Sequence, residues 1–163
     1  MSEKSLNGWT VIHSRSSKLL KTGTIPGTKI KLTAHHAALP VLLAIAAEVH
    51  TRVKNLAANN AAGQDEGGYT YRAAGISSGW SDHSSGTAID VNWRMWPMFK
   101  NAMTPAQRAA CKIIERDFSP VIEWGGNWKR LDQMHWGIRK GISASFLQEW
   151  TKKNIGADGR LRK

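Results

Sequence analysis

The chain has 163 residues, of which 41% are hydrophobic and 21% are charged. This length is enough for one domain with a hydrophobic core and too short for two comfortable ones. Its 23 Lys and Arg against 12 Asp and Glu give a formal net charge of +11, which favours a polyanionic partner or environment such as nucleic acid, an anionic membrane surface or an anionic cell wall. The single cysteine, Cys111, excludes an intramolecular disulfide, and nothing beside it indicates an activated thiol.

The first residues carry no apolar run that would indicate a secretory signal. The most apolar stretch, residues 37–47, is interrupted by Pro40 and is about half the roughly 20 residues that a membrane-spanning helix needs. The sequence therefore predicts a chain that is made in the cytoplasm without a signal peptide and without membrane insertion.

Residues 1–33 are polar, basic and rich in turn residues, which predicts an irregular N-terminal segment with at most a short extended piece. Apolar residues at three- and four-residue steps then predict a helix over about residues 34–58. Thr33 is the expected cap of this helix, and Pro40 is tolerated near its first turn. Residues 69–72 have the composition of a strand.

The second half alternates predicted strands with predicted helices. We expect strands at residues 87–91, 121–124 and 134–138 and helices at residues 104–117 and 143–153. In and just after the first of these helices, Ile113, Ile114 and Phe118 should be buried. We expect residues 154–163 to form a basic, frayed tail. Without a dinucleotide loop, a phosphate loop or a dividing linker, the sequence predicts one α+β domain over residues 1–163, with a small, mainly antiparallel sheet flanked by helices.

Two of the six histidines stand near carboxylates, glycines and tryptophans. His83 precedes Asp90 by seven residues, and His135 follows Asp132 by three. A straight strand would separate positions 83 and 90 by about 23 Å, whereas two ligands of one tetrahedral zinc ion lie roughly 3 to 3.5 Å apart. If His83 and Asp90 bind the same metal ion, the chain must therefore turn between them, and Gly86 supplies the flexibility for that turn.

The remaining histidines lack neighbours that would complete a metal site, and we interpret them as ordinary surface or half-buried residues. They are His13, His35, His36 and His50.

The pattern Ser-x-His-x-x-Gly-x-Ala-x-Asp, which runs from Ser81 to Asp90, resembles the first signature of the zinc D-alanyl-D-alanine carboxypeptidases. This family of LAS-type metallopeptidases includes the L-alanyl-D-glutamate endopeptidases of bacteriophage lysins. Asp132, His135 and the following tryptophan are similar to its second signature, Asp-x-x-His plus an aromatic residue. The segment Glu-Trp-Gly-Gly-x-Trp at residues 123–128 and the Tyr-Arg pair at residues 71 and 72 also resemble family features, whereas residues 1–60 carry no recognisable signature.

The resemblance implies one catalytic Zn²⁺ held by His83, Asp90 and His135, with the fourth position open to water. It implies that Asp132 is the general base. It also implies that Arg72 holds a substrate carboxylate or the developing oxyanion, because its guanidinium is forked and permanently charged.

Each of these roles has an alternative. Glu123 could be the base, since some relatives use a glutamate, and Asp132 could instead cap the chain or pair with Lys129 or Arg130. Arg72 could be a surface ion-pair partner.

Around the two motifs, Ser81 is expected to donate a hydrogen bond within the site and Trp128 to contact the substrate. Most of the neighbouring tryptophans should form the walls of the site and exclude water. The tryptophans near the motifs are Trp80, Trp93, Trp96, Trp124, Trp128 and Trp136.

The resemblance implies a zinc metallopeptidase that hydrolyses peptidoglycan stem peptides. We predict a monomeric L-alanyl-D-glutamate endopeptidase that acts as a bacteriophage endolysin and reaches the wall once another protein has permeabilised the membrane. Its positive charge would aid adhesion to an anionic cell wall. One alternative is a D-alanyl-D-alanine carboxypeptidase or dipeptidase, and another is a basic, non-catalytic module that binds nucleic acid or cell wall. The tryptophans flank the His and Asp motifs instead of the basic segments, which argues against nucleic acid.

Overall fold

The computed structural model describes residues 2–75 and 78–163, except for the side chains of Asn59 and Asn60. The α-helices of this part are α1 (Leu39–Arg52), α2 (Pro105–Asp117) and α3 (Ala144–Asn154). The strands are β1 (Leu20–Thr24), β2 (Lys31–His35), β3 (Ala88–Asp90), β4 (Ile122–Trp124) and β5 (His135–Ile138). Strands β1 and β2 form a hairpin, and the other three form an antiparallel sheet in the order β3-β5-β4. The predicted α+β class with small antiparallel sheets is confirmed.

The N-terminal third differs from the prediction. Residues 1–33 are not irregular, because they contain β1 and most of β2, and Thr33 is a strand residue whose hydroxyl lies 2.7 Å from that of Thr22 across the hairpin. The predicted helix over residues 34–58 is wrong at both ends, since α1 covers only Leu39–Arg52 and a 3₁₀ helix, Leu56–Ala62, follows it. Leu32 and Ala34 of β2 are buried like the apolar residues of α1. The pattern of apolar residues in the sequence therefore does not reveal where the strand ends and the helix begins.

The second half follows the prediction more closely. Thr104 caps α2 in a capping box with Gln107, and Ser143 caps α3, which fits the preference for hydroxyl side chains at helix starts. Ile114 and Phe118 are buried as expected, but Ile113 is 40% exposed because it lies on the solvent side of α2.

Two further expectations are wrong. Residues 69–72 form no strand, although the amide of Tyr69 donates to the carbonyl of Thr33. The C-terminal tail is not frayed, because Ile155 pairs with Leu161 in an isolated bridge and the Arg160 guanidinium donates to the carbonyl of Pro26. Tertiary contacts therefore decide the conformation of both segments.

A continuous hydrophobic core lies between α1, α2 and the three-stranded sheet. Trp124 of β4 and Trp136 of β5 are fully buried in it and stack with their ring centroids 5.6 Å apart. In the described ranges, no helix combines the length and the apolar character that a bilayer crossing requires. The sheet register sets Asp90 at the end of β3 directly opposite His135 at the start of β5, so the core positions two of the predicted ligands.

Candidate metal centre

The three predicted metal ligands converge at one edge of the three-stranded sheet. Asp90 and His135 are cross-strand partners, so their side chains lie on the same face. Nδ1 of His135 is 3.2 Å from Oδ1 of Asp90, and Nε2 of His83 is 3.2 Å from Oδ2 of the same carboxylate. The sheet and the loop before it thus bring together side chains that are up to 52 positions apart in the chain.

His83 reaches this edge because the chain turns sharply after it. The residue lies in a short 3₁₀ helix, Asp82–Ser85, which ends at Gly86 with a left-handed φ of 68°. A Cβ on Gly86 would come within 2.5 Å of the backbone nitrogen of His35, so glycine is required there by both conformation and space. The expected turn between the ligands is confirmed. The Ser81 hydroxyl caps this turn by accepting from the amide of His83 at 3.3 Å.

A backbone contact fixes the orientation of the His83 ring. Its Nδ1 donates to the carbonyl of Gly68 at 2.8 Å, and its Nε2 faces the Asp90 carboxylate. Histidine ligands of metals commonly donate their other ring nitrogen to a carbonyl in this way. Gly68 packs so tightly on the backbone of Thr33 that a Cβ would overlap the Thr33 carbonyl oxygen, which explains glycine at this position.

The donor set fits a zinc ion. The candidate ligand atoms of His83, Asp90 and His135 all lie within 4.8 Å of one another. The 3.2 Å separations from Asp90 agree with bonds of about 2.0–2.1 Å to one tetrahedral zinc. Nε2 of His83 is buried without a hydrogen-bond partner, which is costly for a polar atom unless a ligand occupies the position. Two imidazoles and one carboxylate with a fourth position open are typical of catalytic zinc sites.

The charges of the cluster favour an ionised carboxylate at its centre. Burial alone would raise the pKa of Asp90, but the interactions with the neighbouring His83 and His135 outweigh burial and hold this pKa well below its usual range. Burial lowers the pKa of His135, but the hydrogen bond and the negative charge of Asp90 outweigh it, so the pKa is raised overall. Asp90 is therefore present as the anion that a divalent cation prefers.

Asp132 lies beside the cluster as a buried carboxyl group. It is 3% exposed, and its Oδ1 has no hydrogen-bond partner. Burial raises its pKa; the charge of His135 opposes this shift and that of Asp90 adds to it. The amide of His135 donates to the Asp132 carbonyl at 3.2 Å, so the chain bends between the two residues. Asp132 thus places a carboxyl group with a raised pKa close to the predicted ligands.

Glu123, the alternative base, lies on β4 and is partly buried. Burial raises its pKa, with a further increase from the charge of Asp82, while a hydrogen bond with Trp128 lowers it. The Trp128 ring also packs against His135, with centroids 5.0 Å apart. Trp128 thus lies next to a predicted ligand and occupies one side of the Glu123 carboxylate.

Gly125 allows this part of the chain to pack closely. A Cβ at this position would lie 3.1 Å from the Cβ of Asp132 and 3.2 Å from that of His135, and it would also overlap the Asp132 carbonyl oxygen. Any side chain at position 125 would therefore displace the candidate base and one ligand.

Arg72 reaches the outer edge of the cluster. One of its guanidinium nitrogens lies 3.8 Å from Oδ2 of Asp90, and 45% of the side chain is exposed. The charge is thus near the site and open to solvent, which suits a group that meets a substrate.

The tryptophans near the motifs divide into two groups. Trp96, Trp124 and Trp136 are buried in the core, while Trp80 and Trp128 are partly buried and Trp93 is 37% exposed. Of these residues, Trp128 packs directly against a predicted ligand, and Trp93 is open to solvent.

His35 is more deeply buried than its sequence context indicates. It ends β2 instead of starting a helix, it is 9% exposed, and its Nδ1 accepts from the amide of Ala37. Burial and, to a smaller extent, the charge of His36 lower its pKa to about 4. His35 is thus a neutral structural residue next to the His83 turn.

Sequence reasoning missed the residues that support the ligands from elsewhere in the chain. Asp82 and Asn7 are both buried, and the amide of Asn7 donates to Oδ1 of Asp82 at 2.8 Å. No spacing rule links these positions, because 75 residues separate them.

Comparison with known proteins gives one match. Residues 74–138 match the family model described as D-alanyl-D-alanine carboxypeptidase, one of the M15 peptidases. No curated protein and no solved structure matches the chain. The matched region includes His83, Asp90, Asp132 and His135. It supports a hydrolase of the metallopeptidase type that acts on peptidoglycan, and residues 74–138 of this chain are similar to the D-alanyl-D-alanine carboxypeptidase family.

Proposed function

We propose that this protein is a zinc-dependent peptidase that hydrolyses the stem peptides of peptidoglycan, and that it is an L-alanyl-D-glutamate endopeptidase acting as a bacteriophage endolysin. The observation that carries the proposal is the convergence of His83 Nε2 and His135 Nδ1 on the two oxygens of Asp90. The family match over the same residues supports the peptidase class and the peptidoglycan substrate.

The metal ion and the protein side chains would have different roles in the reaction. Bound by His83, Asp90 and His135, zinc supplies Lewis-acid polarisation of a substrate carbonyl and lowers the pKa of water. The two neutral imidazoles and the single carboxylate leave a net positive charge of about one at the site, which favours both effects. The protein side chains then need to move one proton and to hold the substrate in place.

Asp132 is the proposed general base. Its buried Oδ1 has no hydrogen-bond partner among the described residues, so it is available to accept a proton from the attacking water and to return it to the leaving amine. Burial raises its pKa, and a raised pKa makes a carboxylate a stronger base near neutral pH. Glu123 is less suited to this role, because Trp128 already hydrogen-bonds to it.

Arg72 is proposed to hold a negatively charged oxygen of the substrate or the oxyanion that forms during hydrolysis. Its guanidinium is 3.8 Å from Asp90 Oδ2 and nearly half exposed, so one edge can contact the substrate. The Trp128 ring, packed on His135, is proposed as an apolar contact for the peptide on the other side. Ser81 acts indirectly by capping the turn that carries His83.

A D-alanyl-D-alanine carboxypeptidase or dipeptidase is the second candidate, because the matching family model has that description. Arg72 would then bind the terminal carboxylate of the substrate. The net charge of +11 supports adhesion to an anionic wall in either case. As an endolysin, the monomeric enzyme would act after another protein has opened the membrane.

The experiment is digestion of purified peptidoglycan and of a defined muropeptide, followed by mass spectrometry of the fragments. We expect new amino termini on D-glutamate, inhibition by a zinc chelator and recovery on adding zinc. Release of free terminal D-alanine would indicate the carboxypeptidase instead. Equal digestion by the metal-free and zinc-loaded protein, or by His83→Ala and the wild type, would refute the proposal.

A further inference from the structure

A strap formed by residues 3–12 runs along the loop that carries His83. It lies outside the region that matches the peptidase family, residues 74–138. The amide of Leu6 donates to the carbonyl of Trp80 at 3.0 Å, and the amide of Ile12 donates to the carbonyl of Ser84 at 2.8 Å. The strap therefore contacts the loop on both sides of His83.

Asn7 makes the most interior contacts of this strap. It is 3% exposed, and its backbone amide donates to Oδ1 of Asp82 at 2.8 Å. Its side-chain amide donates to Oγ1 of Thr87 at 2.8 Å and to the carbonyl of Ile138 at 3.0 Å. All three acceptors are buried, where hydrogen bonds hold a fixed geometry and are costly to lose.

Each of these three acceptors lies on a different segment that carries a predicted ligand. Asp82 directly precedes His83. Thr87 leads into β3, which ends at Asp90, and Ile138 ends β5, which begins at His135. One asparagine from the start of the chain thus connects the three segments whose relative positions determine the metal geometry.

Ser5 extends this connection. It is 4% exposed, and its hydroxyl lies 2.7 Å from Oδ1 of Asn7 and 2.9 Å from the hydroxyl of Ser85. Ser85 in turn lies 2.7 Å from the hydroxyl of Thr87. These hydrogen bonds therefore set the orientation of the Asn7 side chain and extend to the turn that carries His83.

We propose that Asn7, oriented by Ser5, is a positioning residue for the metal centre and that residues 3–12 are part of the catalytic unit. The inference rests on the proposed zinc site, and it adds that the conformation of this site depends on residues outside the matched region. Residues that orient metal ligands typically contribute 10- to 100-fold to metal affinity. Loss of the Asn7 side chain should therefore loosen the three ligand segments relative to one another.

The test measures zinc affinity of the full chain near neutral pH by competition with a chromophoric chelator. In Asn7→Ala, we expect the zinc dissociation constant to rise by about 10- to 100-fold. We expect a smaller rise in Ser5→Ala, which keeps the Asn7 amide. At saturating zinc, turnover of Asn7→Ala should return to within about 10-fold of the wild type with KM unchanged, because the ligands themselves are intact.

Thr28→Val is the matched control. The Thr28 hydroxyl also makes two hydrogen bonds, with Ile25 and Ile30, but both stay within the β1-β2 connection and neither reaches a segment that carries a predicted ligand. The Thr28→Val substitution should lower Tm without changing the zinc dissociation constant.

Two results would overturn the proposal. One is a zinc dissociation constant within twofold of the wild type in both Asn7→Ala and Ser5→Ala, whatever their Tm. The other is an equal rise in Thr28→Val, which would indicate general destabilisation. If Asn7→Ala does not fold, Ser5→Ala alone decides between these results. A wild-type protein that binds no zinc would instead refute the proposed function, so the two failures are distinguishable.

Discussion

Acidification should destabilise this protein through His35, a buried histidine that supports the metal-ligand turn. The pKa of His35 is lowered from 6.5 to about 4, and its backbone amide donates to the carbonyl of Gly86 at 2.8 Å. A lowered pKa in the folded state means that the fold prefers the neutral ring. The contribution to stability is therefore fully present above pH 6.5, declines as the pH falls, and reaches its limit near pH 4.

The size of the effect follows from the two pKa values. Between pH 7 and pH 5, protonation of the unfolded chain should lower the free energy of unfolding by about 2 kcal/mol, and the full loss at lower pH should be about 3 kcal/mol. His35→Asn removes the titrating group while keeping an acceptor for the amide of Ala37, which now bonds to Nδ1. The variant should therefore lose about 2 kcal/mol less than the wild type over this pH range.

The assay is urea unfolding of the metal-free protein at pH 7 and pH 5, followed by tryptophan fluorescence. The metal is removed so that loss of zinc at low pH, caused by protonation of the metal-binding residues, does not contribute to the change in the free energy of unfolding. His36→Asn is the control, because burial is the larger cause of the shift and the His36 charge the smaller one, so this variant should keep most of the pH dependence. Equal losses in His35→Asn and the wild type would refute the reasoning.

Four further predictions concern the site itself. Asp132→Asn should keep zinc and lower kcat by about 10²- to 10⁴-fold, while Glu123→Gln should stay within about 10-fold of the wild type; the opposite ranking in steady-state kinetics would exchange their roles. Because burial raises the pKa of Asp132, activity should fall on acidification at a higher pH than an ordinary aspartate would give, as a pH profile of kcat/KM can show. Arg72→Lys should lower kcat/KM by at least about 10-fold with unchanged zinc affinity, since a lysine lacks the forked geometry. Gly125→Ala should destabilise the protein by about 1–3 kcal/mol and weaken zinc binding, because its Cβ would displace Asp132 and His135; unchanged Tm and zinc affinity would contradict this packing.

Local patterns were sufficient wherever neighbouring residues decide the structure. The start of α2 was predictable because Thr104 and Gln107 cap it within one turn. The turn after His83 was predictable because Gly86 is the residue that adopts a left-handed φ there. The ligand set could be proposed because two short segments of the chain resemble the signatures of a known family.

The same patterns failed where distant residues decide the structure. Leu32 and Ala34 have the apolar character of the following helix, and only pairing with β1 makes them strand residues. The tail is ordered because Arg160 meets Pro26, 134 positions away. Composition predicts neither contact, because the partners are remote in sequence.

By itself, the sequence predicted the local turns and helix starts, because these depend on residue type and short spacing, and the resemblance of its two motifs to family signatures predicted the metal ligands. Only the tertiary structure decided how the ligands meet, since the distance between Asp90 and His135 depends on the register of β3 and β5. It also decided what supports them, because Asn7 contacts Asp82 and Ile138 across 75 and 131 positions. Hydrogen bonds of this kind join residues that are neighbours only in the folded structure, so no local pattern predicts them.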